Sequence, residues 1–267
     1  MSVVCMGIFA GAHGATPKVL PSCEIHTSTS LGSPVPFPKP PQACPSRKLG
    51  QMIQMGKRIV EDTPRYAAAY TGNALSCTNC HIDDGKQPWA APFVGLSGVF
   101  PTYLKRDKKV VTLADRINGC FERSMNGRPM PVDSKDMTAL VSYISWLSIG
   151  VPQGHPVEGR GFVKLPILKG NATRGRTVYA ASCAKCHGAD GQGIYNRDGA
   201  TKFPPLWGPR SFNDGAGMHK VSVAARFIQH NMPFDHPGIL TPQEAYDVAA
   251  YIDAQPRPHF VKPSSAR

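Results

Sequence analysis

Two Cys-x-x-Cys-His motifs, Cys77-Thr-Asn-Cys80-His81 and Cys183-Ala-Lys-Cys186-His187, constrain this chain more than any other feature. Each places two thiols and an imidazole on one turn. That pattern attaches a c-type haem: both sulfurs become thioethers on the porphyrin vinyl groups, and the histidine lies under the iron as proximal ligand. Zinc is a poor rival, because Cys80 and Cys183 lie 103 positions apart, outside ribbon spacing. A thioredoxin-like pair would need a βαβ context that the sequence lacks.

The motifs sit inside an internal repeat. The first copy runs from Gly56 through the motif to Met130-Pro131 and a helix over 137–148. The second runs from Gly175 through its motif to Met232-Pro233 and a helix over 244–254. In these closing helices Met137, Leu140, Val141, Ile144 and Leu147, then Ala245, Val248, Ala249 and Ile252, recur at helical spacing and read as core. Thr241-Pro-Gln-Glu244 is a helix-start signal. The first copy carries an insertion around Asp62 to Ala74. A chain of 267 residues can bury two small cores, and 26 glycines with 26 prolines favour short helices joined by loops.

The expected architecture is therefore all-α: two tandem cytochrome c-type domains, each built around one covalently bound haem, behind a proline-rich arm. Residues 1–15 read as a signal-peptide remnant without a positive n-region, and 16–46 as the arm. The N-terminal domain spans 47–150, a Gly/Pro-rich linker 151–172, and the C-terminal domain 173–258. Cys23 and Cys44, both in the arm, could pair as a disulfide or stay as thiols. Covalent haem attachment takes place outside the bacterial cytoplasm, so the expected location is the periplasm. No run of 18 apolar residues exists, so no membrane span is expected.

The formal charge of +12 suits anionic substrates or an acidic partner. Nucleic acid is not expected, since there is no basic helix, zinc-finger spacing or ribonucleoprotein motif. The distal ligands decide what each haem does. For the second, Met232 precedes the last helix, with His230 as rival and His219, Lys220 and His236 nearby; a thioether ligand raises the potential and suits electron transfer. For the first, spacing leaves Met130 and Cys120 both open. Cys120 lies on an expected helix begun by the capping box Thr112-Leu-Ala-Asp115, and Arg116 shares its face one turn earlier. A thiol beside a guanidinium has a lowered pKa; an inert buried cysteine is the plainer alternative.

The segment Arg116-Ile-Asn-Gly-Cys120-Phe-Glu-Arg-Ser-Met-Asn-Gly127, lying between the two haem motifs, resembles the dihaem thiosulfate dehydrogenases, and the similarity extends from about Leu49 to about Gln255. The resemblance implies that His81 and Cys120 hold the first iron, at the active site, flanked by Arg116 and by Arg106 fourteen residues before the cysteine. It implies His187 and Met232 on the second iron, with Asn231 where some members have lysine. It also implies that two thiosulfates are joined as tetrathionate, reversibly. The electrons would run from the first haem to the second and on to a small redox acceptor such as another cytochrome or a high-potential carrier. The alternatives are a non-catalytic dihaem electron carrier using Met130, and a dihaem peroxidase.

Overall fold

The computed structural model describes residues 34–45, 47–197 and 199–261. The first half contains α1 (Arg47–Glu61), the single turns α2 (Thr63–Tyr66) and α3 (Ile82–Gly85), the strands β1 (Thr102–Leu104) and β2 (Lys109–Val111), α4 (Leu113–Arg123) and α5 (Lys135–Leu147). The second contains α6 (Ala172–Ser182), the turn α7 (Ala184–His187), β3 (Ile194–Tyr195), β4 (Thr201–Phe203), α8 (Val221–Asn231) and α9 (Pro242–Asp253). The strands form two separate antiparallel hairpins, a small addition to the helical expectation. In the first hairpin Tyr103 faces Val110 and Leu104 faces Lys109.

Both halves are built on one crossing. α1 packs on α5, and α6 packs on α9. The glycines that opened each repeat sit at these crossings. A Cβ on Gly56 would lie 2.1 Å from the Ala139 carbonyl oxygen, and one on Gly175 would lie 1.9 Å from that of Asp247. Only a bare Cα lets the backbones approach so closely. Gly56→Ala and Gly175→Ala are each expected to lower stability by about 1–3 kcal/mol through overpacking, seen as a fall in melting temperature of the dihaem protein. An unchanged melting temperature would show that the crossing can open at no cost.

The closing helices bury the expected faces: Met137, Leu140, Ile144 and Leu147 in one core, Ala245, Val248, Ala249 and Ile252 in the other. Both starts are capped, the second as its sequence signals. Ser134 accepts from the Met137 N–H, and Thr241 and Glu244 form a reciprocal capping box with Pro242 at the first helical position. On α6, Arg174 forks onto buried Asp247 of α9 at 2.6 and 2.9 Å.

Three segments without long helices position the site. The insertion in the first half forms α2 and a further turn, and its end braces the loop after α4. There the Gly72 N–H donates to the Met125 carbonyl, and the Asn73 amide donates to Ser124 and Ser211 carbonyls. The segment between the halves has no helix, yet it is packed. Val157 is buried and bridges to Val35 of the proline-rich arm, whose described residues 34–45 form no helix. Carbonyls of Gly159 and Gly161 accept from the N–H groups of Trp89 and Ala91. The signal-peptide remnant and Cys23, with its pairing to Cys44, lie outside the described residues.

Candidate active site

Both motif histidines are aimed by a backbone carbonyl. The His81 Nδ1–H donates to Ala91 O at 2.6 Å, and the His187 Nδ1–H donates to Pro204 O at 2.8 Å. A carbonyl can only accept, so Nδ1 carries the proton in each case and Nε2 keeps a free lone pair for a metal. Burial also pushes the His187 pKa down, towards the neutral imidazole that ligates. Ala91 holds a left-handed backbone at φ +48°, as does Trp89 at +62°. The linker glycine carbonyls described above tie down both strained residues, so the segment between the halves helps to orient His81.

In the second half, Cys183, Cys186, His187 and Met232 line one largely apolar cavity. The paired thiols, the free Nε2 and the thioether of Met232 are a donor set that fits a covalent haem. Arg257 fits as well: it stacks 4.4 Å over Phe212, which lines the cavity, and its buried Nε has no partner among the described residues, as suits a group bearing carboxylates. His230 instead meets Trp89 edge-on at 6.4 Å. The Asn231 amide is spent on the Phe227 and Trp89 carbonyls. The cavity also has a wall from the first half, Thr78, Cys80 and Ile82. The two attachment motifs are thus near neighbours in space.

In the first half, α4 begins where expected. Thr112 accepts from the Asp115 N–H, and the Asp115 carboxylate accepts from Thr112 N–H. One turn apart on that helix, Arg116 Nη1 donates to Cys120 Sγ at 3.0 Å. Burial alone would push the Cys120 pKa up; the Arg116 charge, helped by nearby His81, outweighs it and brings it down to about 6. The Cys120 charge is also felt at Cys77 and Cys80. The structure therefore gathers Cys120, Arg116, His81 and both first-motif cysteines. Met130 lies buried in the first core, its backbone N–H and carbonyl both bonded to the Asn118 side chain. Arg106 stands at the β1–β2 turn, 40 % exposed, its Nε 3.5 Å from Asp107 Oδ1.

Residues 64–153 match the family described as SoxA/TsdA, cytochrome c domain, and 172–255 match Cytochrome c. A thiosulfate dehydrogenase of Thiomonas intermedia (strain K12) is 43 % identical over 97 % of this chain and 84 % of its own length. One from Stutzerimonas stutzeri (strain A1501) is 39 % identical over 97 % and 85 %. The solved thiosulfate dehydrogenase (TsdBA) from Marichromatium purpuratum is 44 % identical, with a TM-score of 0.79 over 82 % of this chain; that match spans 49 % of the solved chain. The chain belongs to the thiosulfate dehydrogenase family.

As a member of that family it is an enzyme of two cytochrome c domains with two covalently bound haem c groups, in line with the sequence reading. Among the described residues no helix is long and apolar enough to cross a membrane. Two groups near the site escaped the sequence reading. Arg123, with its side chain only 13 % exposed, donates through Nη2 to Asp107 Oδ1 at 3.2 Å. Its spacing from Cys120 and Arg116, three and seven positions, was a legible helical signal. Asp107 had none, since its role depends on how the hairpin folds back onto α4.

Proposed function

We propose that this enzyme oxidises thiosulfate, joining two ions as tetrathionate, with Cys120 as the reacting sulfur. His81 and Cys120 would hold the first haem iron, and His187 and Met232 the second. When bound, the haems accept the two electrons released and pass them, first to second, to a small redox acceptor.

The chemistry left to the protein is chiefly electrostatic. Two dianions about 4 Å apart in a site of effective dielectric about 20 repel by on the order of 15 kcal/mol. Arg116 and Arg106 offset that charge, and their planar forks suit sulfonate oxygens. In the first step the Cys120 thiolate forms an S–S bond to the sulfane sulfur of one thiosulfate, and two electrons leave. In the second step the sulfane sulfur of another thiosulfate attacks that same sulfur. The Cys120 S–S bond breaks, tetrathionate departs and the thiolate is regenerated. The reverse direction uses the same groups. A cysteine with a structural role only would need neither a guanidinium nor an electron-accepting site beside it.

The observation that carries this reading is the 3.0 Å contact between Arg116 and Cys120 Sγ, with His81 close enough to influence that sulfur. The test is turnover of the dihaem protein with thiosulfate and ferricyanide. The expected result is one tetrathionate per two ferricyanides reduced. Absence of any thiosulfate-dependent reduction would reject it and leave the electron carrier. The covalent haems and the expected export point to a periplasmic enzyme.

The β1–β2 turn carries Lys105, Arg106 and Lys108, with Lys109 at the start of β2, against the single carboxylate of Asp107. A dianion approaching this edge is steered by their field. Raising ionic strength from about 20 to 200 mM is expected to lower kcat/KM for thiosulfate several-fold, because the Debye length shrinks to about 8 Å near 0.15 M. A flat salt profile would remove steering from the account.

A further inference from the structure

Arg116 meets Cys120 directly, and two further guanidinium groups meet over Gly119, the residue before it. Arg106 and Arg123 approach the same Asp107 oxygen, at 3.5 and 3.2 Å. Arg123 also donates to the Gly119 carbonyl at 3.3 Å. Gly119 immediately precedes Cys120, and a Cβ built there would lie 2.7 Å from Arg123 Nη1 and 3.9 Å from Arg106 Nη2. The two side chains therefore close over the one bare position of this helix turn. Burial depresses the Arg123 pKa most, with Arg106 and then Arg116 adding to it against Asp107; at Arg116 the Cys120 charge raises the pKa most, and Asp107 adds a smaller share.

Arg123 is fixed from behind by the second half of the chain. The Phe260 ring lies 4.8 Å under its guanidinium. The Asn213 N–H donates to the Arg123 carbonyl, and the Asn213 amide donates to the Glu122 carbonyl. Asn213 is 2 % exposed. An ordinary surface ion pair has no such backing and contributes little.

We propose that Arg123 is a positioning residue for the thiosulfate site: it holds Asp107 so that this carboxylate balances, without capturing, the Arg106 guanidinium offered to the anion. The inference rests on the reading of Cys120 and its arginines as the thiosulfate site. Asp107 then sets how strongly the cluster holds a dianion. Three cations against one carboxylate bind an anion and still release a doubly charged product. Gly119 supplies the space in which the two forks meet.

The test is steady-state kinetics of the dihaem protein with thiosulfate, alongside haem content and the oxidised spectrum. Arg123→Gln removes one cation and frees Asp107 to neutralise Arg106, so KM is expected to rise about tenfold, with kcat changing less than threefold. Asp107→Asn removes the counter-charge, so KM is expected to fall, about threefold, with slower product release lowering kcat. A purely structural Arg123–Asp107 pair predicts instead that both variants raise KM alike, and that result would overturn the proposal. Gly119→Ala is the folding-independent arm. Alanine favours the helix by about 1 kcal/mol, so melting temperature should hold or rise while KM rises several-fold; an unchanged KM would also overturn it. Lack of thiosulfate turnover in the unmodified protein would instead reject the reading of the site itself.

Discussion

Cys120→Gly is expected to abolish thiosulfate-dependent turnover while leaving both haems attached. The attachment cysteines belong to other segments, and their thioether bonds do not depend on α4. Removing a covalent nucleophile costs at least about 10³-fold in kcat, because no other group in the reaction can replace the bond it forms. Glycine also removes the sulfur without adding bulk beside Arg116 and His81. The optical and paramagnetic-resonance spectra should then lose the signature of a thiolate on low-spin haem, with the second haem unaltered. Turnover within tenfold of the parent protein would rule out Cys120 as the reacting sulfur. It would return Met130, now seen buried and held by Asn118, to consideration as first-haem ligand.

Arg116→Gln is the second large effect expected, a loss of about 10²–10³-fold in kcat/KM. Arg116 donates directly to Cys120 Sγ, and its charge is the leading influence opposing burial at that sulfur. The substitution leaves a partly buried anionic site short of one guanidinium. Truncating one member of such a charged pair costs about 2–5 kcal/mol, enough for the stated loss. Arg116→Lys should recover part of the charge effect but not the fork that suits a sulfonate. Both kcat and KM are expected to suffer, since the guanidinium meets the sulfur and the anion. Should Arg116→Gln lose less than about fivefold, the electrostatic account of the site fails even if Cys120 proves essential.

Much of this protein is legible in local pattern. The Cys-x-x-Cys-His motifs specify their chemistry within five residues, because two thioethers and a ligand must share one turn. Thr112, Ser134 and Thr241 mark helix starts because a capping side chain meets its own next turn, a contact fixed by sequence distance. Arg116 and Cys120 meet for the same reason, one turn apart on a single helix. Asn213 and Phe260 behind Arg123 were not legible, for they arrive from about 90 and 137 positions away, at distances no periodicity encodes. The segment 151–172 reads as a plain connector because most of its hydrogen bonds are made by backbone groups, which every residue has.

What the amino-acid order determined by itself is the set of reactive groups: two haem attachment turns, a cysteine one helical turn from an arginine, and the helices that carry them. Tertiary packing alone decided which of those groups meet. It brought Cys120 of α4 to His81, set Cys80 in the wall of the second cavity, and closed Arg106 and Arg123 around Asp107. The physical reason is range. Capping and i,i+4 contacts follow from backbone geometry within a turn, whereas the approach of α4 to the first motif follows from burying two cores and joining them through loops whose polar groups must find partners.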